Sequence, residues 1–584
     1  MKAKSIITTL SFLLSATCFA QFPGGGGFGG GFPGGGAGFP GGGFPGGFGG
    51  RFPVQEQQEG SQMPGGFPGG GFGGGFGMST EYNPASSRND VEFSSSNLPV
   101  IIIDTDGKSL TNRQKSPATM KIIDNGDKRN KVTDPANGYD GNIKIKLRGN
   151  SSLFFDQKRF TFETTDAQGK ELDVELLGMP SEHDWVLLAP YNDISMMRDV
   201  FAFDMWNNMG HWAPRSRYCE VVMNGRYIGV YILCEKIKRG KNRIDIAKLT
   251  PNDTSAIDIT GGYIVRVDPP DEGEKSFTSQ VPGIMNTNMG GGFGGFGGGM
   301  GGFGGMGGFG GRATVTWTIF YPKAEKLTQE QQDYISNYVN TVEKVIQSDD
   351  FADPVNGYAK YISVSSFVDY FIHTELSMNA DGLKRSTYFY KKKQNPDGTG
   401  GKLHAGTVWD YNLAYGNCNF ANANRTDAWV YEGSETNPTP AMWKRLTEDP
   451  AFMAKVKARW QELRKGYLSN DSINLFIDEH AALLKEAQNR QYAKYSDLLV
   501  SKNSNQNSGQ GQQNGGFGGF GGMGGFGGGF GGPGGGFGGF GGFGGGGAAG
   551  MFSAYTVSSY EEEIDVLKKW FADRIAFLDS NWGN

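Results

Sequence analysis

Cysteine is scarce, with four in 584 residues. Cys18 falls in an N-terminal apolar stretch, which leaves Cys219, Cys234 and Cys418, an odd number that excludes complete internal pairing. Cys219 and Cys234 flank a hairpin expected at Asn224-Gly225. That turn would set Cys219 opposite Val230, so a cross-strand disulfide is disfavoured and small buried thiols are expected. No basic tract is long enough to mark a nucleic-acid surface, and the net charge of −5 is mildly acidic. Past the N-terminus, no run approaches the ~20 apolar residues of a transmembrane helix. No segment reads G-x-x-x-x-G-K-S/T, and the G-x-G-x-x-G matches arise from composition alone, so a Gly-rich phosphate loop is dismissed. Glycine is abundant, at 96 residues, but does not fall at every third position, which excludes collagen.

The N-terminus reads as a secretory signal. Lys2 and Lys4 make a basic start, Ile6 to Leu14 an apolar run, and Cys18-Phe-Ala20 a small-x-small exit before Gln21. A lipoprotein alternative would use Cys18, but Ser15 stands where leucine is usual. An exported chain is expected, cleaved after Ala20, placed in the periplasm, at the cell surface or outside, with no transmembrane helix afterwards.

Three segments cannot build a core: Phe22 to Met78, Met289 to Gly311 and Gly515 to Gly550, composed mostly of glycine with phenylalanine, proline or methionine. Glycine loses the most conformational entropy on folding, and branched apolar residues that could offset it are missing. They are expected to be disordered, with phenylalanine rings as spaced weak stickers able to support self-association. The expected organisation is a signal at 1–20, a Gly/Phe/Pro-rich segment at 21–97, and one domain over 98–584 interrupted at about 272–312 and 502–550.

Within that domain, Leu98 to about Arg266 is strand-rich. Ile143-Lys-Ile-Lys-Leu147 and Phe160-Thr-Phe162 alternate, and Tyr218 to Val222 turns through Asn224-Gly225 into Tyr227 to Leu233. Ile194 to Met209 reads as a helix. From Leu327 the pattern turns helical: Thr328 with Gln331 makes a capping box, and Ile335, Val339, Val342 and Ile346 share one face. Ser363 to Met378 is a second apolar helix. Ser386 to Lys391 and Leu403 to Asp410 read as a strand pair around Pro396-Asp397-Gly398. A last helix begins at Ser558 or Ser559, with Ile564, Leu567, Phe571, Ile575 and Leu578 as its buried stripe. The fold class is α+β.

Two aspartate-centred segments organise the chemistry: Asn379-Ala-Asp381 through Ser386-Thr-Tyr388, and Val408-Trp-Asp410-Tyr-Asn412. The first follows a helix, and the second is expected to close a strand. Their order matches phosphoryl-transfer enzymes, in which one Asp handles the acceptor hydroxyl and another holds Mg²⁺.

The ordered motifs Leu147-Arg-Gly-Asn-Ser-Ser152, Leu177-Gly-Met179 with Asp184-Trp185, Tyr191-Asn-Asp193, Met197-Arg198, Pro214-Arg215, Val222-Met-Asn-Gly-Arg-Tyr-Ile-Gly-Val-Tyr231, Glu235-Lys-Ile-Lys-Arg239 to Arg243, both Asp segments and Arg574-Ile-Ala-Phe-Leu-Asp579 closely resemble the CotH kinase family. The resemblance spans roughly Leu98 to Trp582, apart from the glycine-rich insertions. It implies an atypical protein-kinase-like fold, with a strand-rich N-terminal lobe, a helical C-terminal lobe and a nucleotide cleft, and phosphorylation of a protein using ATP and Mg²⁺ or Mn²⁺.

Carried over residue by residue, the resemblance puts Arg148-Gly149-Asn150 in a phosphate-covering loop and Lys158 on the strand after it, neutralising phosphate. Arg198 would reach the cleft, and Glu235 would accept from the nucleotide base or hold Lys236. Asp381 would orient or deprotonate the acceptor hydroxyl, and Asp410 would coordinate Mg²⁺. Ser386 stands where many members carry an Asn metal ligand, and a hydroxyl is the weaker neutral donor.

Plainer readings stay open. Arg148 and Arg198 could be interlobe ion-pair partners, Asp193 a helix N-cap, and Lys236, Lys238 and Arg239 a solvated basic face. Trp409 could be core, and Asn379 a capping residue. Three classes of function follow: a kinase acting on Ser or Thr of an exported protein, an inert kinase-like structural or adhesive surface protein, and a carbohydrate-processing enzyme. No acid pair has a spacing that identifies glycosidase chemistry, which makes the last the weakest.

Overall fold

A computed structural model describes residues 80–84, 89–286, 313–499 and 553–583. The expected signal and the three glycine-rich segments 22–78, 289–311 and 515–550 lie outside the described residues.

Seven strands close into a barrel: β1 (Val100–Asp104), β2 (Ser116–Ile123), β3 (Tyr139–Arg148), β4 (Arg159–Thr165), β5 (Asp184–Leu188), β6 (Ser216–Met223) and β7 (Arg226–Glu235). Their order around the barrel is β5-β7-β6-β1-β2-β3-β4, and β4 pairs back to β5. Only the β1–β6 pair is parallel among these seven. The period-two alternation of β3 drives Ile143, Ile145 and Leu147 inward, where they meet Met120, Phe160, Phe162, Trp185, Cys219 and Tyr231. Lys144, Lys146 and Arg148 fall on the opposite, outer face.

The Asn224-Gly225 hairpin forms, but Cys219 lies opposite Tyr231 rather than Val230. A bulge between Val221 and Val222 shifts the register by one residue. Cys219, Cys234 and Cys418 are all buried free thiols.

The outer face of the barrel carries Val186, Leu188, Val230, Ile232 and Cys234, which join the larger core. That core is shared with helix α1 (Arg198–Asn208), a five-stranded antiparallel sheet and the remaining helices. The sheet is built from β8 (Tyr263–Val267), β9 (Lys275–Thr278), β10 (Thr316–Tyr321), β11 (Thr387–Lys391) and β12 (Leu403–Ala405), in the order β9-β10-β8-β11-β12. The helices are α2 (Gln329–Gln347), α3 (Val364–Ser377), α4 (Met442–Thr447), α5 (Pro450–Arg464), α6 (Asn470–Leu484), α7 (Ala487–Lys494) and α8 (Tyr560–Trp582). The fold is mixed α+β.

Several element boundaries differ from the sequence reading. Helix α1 starts at Arg198, because Pro190 to Met197 is spent on turns in which Asp193 Oδ2 accepts the Arg198 amide at 2.9 Å. The folded part reaches beyond 98–584 at its start, since Glu81–Tyr82 pairs with Leu110–Thr111 and Tyr82 sits in the barrel core. The expected insertion at 272–312 contains β9, which pairs with β10, so its first part belongs to the sheet. β12 ends at Ala405, and Asp410 lies in the irregular segment after it instead of closing the strand.

The capping box at Thr328 and Gln331 is formed, with Gln331 N donating to Thr328 Oγ1 at 3.2 Å. In α8, Ser559 Oγ accepts from the Glu562 amide at 3.1 Å, and Ile564, Leu567, Phe571, Ile575 and Leu578 are all buried. Each such side chain contributes roughly 1.5–3 kcal/mol of burial. Among the described residues, no helix is long and apolar enough to cross a membrane.

Candidate active site

Helix α3 is buried along almost its whole length and ends when Met378 turns into the left-handed region at φ 46°. The chain then runs through Asn379 and Asp381, where the Asp381 carbonyl accepts from the Lys384 and Arg385 amides at 3.2 and 2.9 Å. Leu383, Ser386 and Asp410 also take positive φ, at 66°, 46° and 67°. Such conformations at non-glycine residues cost of order 1–3 kcal/mol each and concentrate at functional sites.

Asn379 joins the two acid segments. Its Oδ1 accepts the Asp381 amide at 3.2 Å, and its Nδ2 donates to the Asp410 carbonyl at 3.3 Å. It is therefore both the local cap of one acid and the strut to the other. Ser386 follows directly on the Asp381 turn and precedes β11. Asp381, Ser386 and Asp410 are thus brought to one place, and each is half-buried.

The barrel supplies a basic face to this place. Arg148 and Arg159 are register partners across β3 and β4, so their side chains stand on one face of the sheet. Two like charges directly opposite each other are destabilising unless something else occupies them. Arg159 Nη1 donates to Asp410 Oδ1 at 2.9 Å, with the Asp410 side chain still 32 % exposed. The Arg148 guanidinium lies 4.7 Å from the centre of the Trp409 ring. Trp409 is buried and stacks on Phe203 of α1, so it is a core residue that also offers a ring face to Arg148. Gly149 follows at φ 113°, where an added Cβ would collide with Ser152 Oγ. Asn150 is exposed and begins the short turn Ser151–Phe154.

Burial, then the neighbouring Asp410 charge, hold the Asp381 carboxyl above the usual carboxylate range, while Lys384 and Arg385 oppose them. Its carboxylate accepts no hydrogen bond from the described residues. Buried Asp199 of α1 receives the Tyr411 amide at 2.6 Å. Burial pushes it up to about 7, Asp410 adding to the rise and Arg159 opposing it. Burial likewise brings the Lys384 ammonium down to about 8, against the pull of Asp381.

The structure gives three expected nucleotide contacts other partners. Lys158 Nζ donates to the carbonyls of Leu153 and Phe155 at 2.8 and 2.5 Å, closing its own loop. Arg198 is sealed from solvent and does not reach a cleft. Its guanidinium bonds Asp193 at 2.5 Å, Glu563 at 2.7 Å and Tyr555 Oη at 2.8 Å. Glu235 is fully buried, pairing with Arg215 at 2.7 Å and with Arg243. It does not hold Lys236, which pairs with Asp184 at 2.8 Å. Lys238 spans Glu182 and Asp184, so these lysines are partnered rather than a free solvated face.

Sequence reasoning passed over Arg159 and Asp199. The signal for Arg159 is its place at the mouth of an alternating strand opposite Arg148. Asp199 carries no local signal, because its place beside Arg159, Asp410 and Tyr411 comes from pairings distant in the chain.

The donor set suits a hard divalent cation. Asp381 and Asp410 offer the carboxylate oxygens that Mg²⁺ or Mn²⁺ ligation requires, Asp381 with no hydrogen-bond donor among the described residues and Asp410 with one oxygen on Arg159. The adjacent arginine pair suits phosphate.

Comparison with known proteins agrees with this chemistry. A search of curated proteins returns no match. The family described as CotH kinase protein matches residues 145–578, most of the chain. That span holds both acid segments, the Arg148 and Arg159 pair and most of α8. The chain belongs to the CotH kinase protein family.

Proposed function

We propose that this protein is an exported CotH-like kinase that transfers phosphate from ATP, with Mg²⁺ or Mn²⁺, to Ser or Thr of a protein. The observation that carries the reading is the union of two opposite charge sets at one place. Asp381 and Asp410 are strutted together by Asn379, and directly beside them the barrel presents Arg148 and Arg159. On this reading the barrel is the N-terminal lobe, the sheet and helices form the C-terminal lobe, and the site lies between them. Residues 98–584, together with the Glu81–Tyr82 strand, would act as one domain with inserted segments.

Asp410, and Asp381 with it, would hold the cation, which supplies charge neutralisation at the transferring phosphate. Arg148 and Arg159 would bind phosphate oxygens, with Arg159 also orienting Asp410. Asp381, raised by burial, would position the acceptor hydroxyl and take its proton. The glycine-phenylalanine segments and the N-terminal signal support action on the export path or at the surface, where self-association would hold enzyme near its substrate. No specific feature of the described residues favours an inert scaffold over a kinase. The two are separated by incubating the mature protein with labelled ATP and Mg²⁺ or Mn²⁺. Label on the protein or on a hydroxyl-bearing peptide, abolished by Asp381→Asn, is the expected result. No label with either metal would leave the inert structural reading in its place.

A further inference from the structure

Strand β8 ends at Val267, which pairs with Thr387 of β11. One step along the same antiparallel ladder stand Asp268 and Ser386, so the end of β8 and the Asp381 loop meet at this point. The backbone of Asp268 is held from its other side. Its amide donates to the Thr316 carbonyl at 3.2 Å, and its own carbonyl accepts from Thr318 Oγ1 at 2.7 Å.

The Asp268 carboxylate has little structural work. Among the described residues it accepts no hydrogen bond, and its ion-pair partner, Arg266 Nε, is 3.8 Å away. Arg266 does not depend on it, being held by Glu274 at 2.8 Å and Asp271 at 3.2 Å. Burial pushes Asp268 up to about 7, with Asp381 adding to the rise and Arg266 and Arg385 opposing it. A carboxylate with no hydrogen-bond donor among the described residues, one ladder step from Ser386, is placed to serve a cation there.

We propose that Asp268 is a ligand for a second divalent cation at this site, supplying from β8 the charged oxygen that the Ser386 hydroxyl cannot. The assignment rests on the phosphotransfer reading above. Three carboxylates, on the end of β8, after α3 and before Tyr411, would then share two cations with the nucleotide phosphates. A neutral hydroxyl at 386 is tolerated because the strand beside it brings a full negative charge. The ligand class is a hard, oxygen-preferring ion, Mg²⁺ or its spectroscopic substitute Mn²⁺.

The test reads metal and not turnover. The parent protein is titrated with Mn²⁺ in the presence of a non-hydrolysable ATP analogue, and free Mn²⁺ is followed by its paramagnetic resonance signal. Two equivalents per chain are expected for the parent and one for Asp268→Asn, with unchanged thermal melting before metal is added. Asp268→Ala serves as a second variant should the amide misfold. Two equivalents retained by the folded variant at parental affinity overturn the assignment, as does a parent that takes up only one. A parent that binds neither Mn²⁺ nor the analogue instead overturns the phosphotransfer reading itself.

Discussion

Two charge clusters in this protein use the same residue types to opposite ends. Around Arg198, the charges are paired with one another. The guanidinium is enclosed by Asp193, Glu563, Tyr555 and the carbonyls of Ala414 and Tyr415, and solvent is excluded. Around Asp381, Asp410 and Asp268, charges lie half-buried, two of the three carboxylates accept no hydrogen bond from the described residues, and backbone strain is concentrated. The first arrangement is what stability asks of buried ions, because an ion that leaves water must recover its solvation from fixed partners. The second leaves that solvation to be recovered from a ligand. Buried charge alone therefore does not mark a site. What marks it is buried charge left unsatisfied.

The sharpest test of this contrast is to remove one charge from each cluster. Asp381→Asn should slow phosphate transfer by roughly 10²–10⁴-fold while weakening nucleotide binding less than Asp410→Asn does and leaving thermal melting close to parental. Asp410→Asn should weaken divalent-ion and nucleotide binding together. Label transfer, equilibrium nucleotide binding and melting, measured on the same preparations, separate the two. Equal and minor effects at both positions would erase the distinction.

Arg198→Met should do the reverse. It leaves Asp193 and Glu563 buried without their cation, a loss on the order of 3–5 kcal/mol in urea denaturation. Adding Glu563→Gln should recover part of it, which a catalytic role for Arg198 would not explain. Leu567→Ala, in the apolar layer of α8, should cost about 2–5 kcal/mol by leaving a cavity, with the transfer rate of the folded fraction unchanged.

The smallest effect concerns pH. Asp199 is held at about 7 in the fold, above its ordinary value, so the folded protein keeps a proton that the unfolded chain gives up. Its contribution to stability is present at low pH and falls as pH rises from about 4 to 7. Asp199→Asn should flatten that slope by roughly 2 kcal/mol between pH 5 and 7, read as the difference from the parent in urea denaturation. The amide oxygen can still accept from Tyr411 N, so the variant tests charge and not the hydrogen bond. A parental slope in the variant would show that Asp199 ionises freely.

What could be read from the sequence was local. The capping box at Thr328, the turn at Asn224-Gly225, the stripe of α8 and the placement of Asp381 after a helix each depend on residues within a few positions. The Cys219 register failed by one place because the bulge at Val221 and Val222 has no composition signal. Asp410 was placed at a strand end because Leu403 to Trp409 is β-prone throughout, whereas pairing with β11 stops at Ala405. Charged residues were the least legible. Arg198, Glu235 and Lys158 look the same in sequence whether their charge is free or spent, and only the fold supplies Glu563, Arg243 and the Phe155 carbonyl. Asp268 became visible only once β8 was seen to lie against β11.

Helix α8 gives the molecule an order in time. Arg574 binds the Glu375 carbonyl of α3 at 2.6 Å and the Thr426 and Ala428 carbonyls at 3.0 and 2.7 Å, while Glu563 completes the Arg198 cluster at the start of α1. A nascent chain that has reached residue 550 already contains every acid and arginine of the site, yet the two helices that present them still lack their shared clamp. Assembly of the site must therefore wait until the long glycine-rich stretch has been synthesised and α8 has followed it. The site stays unclamped until α8 has been made.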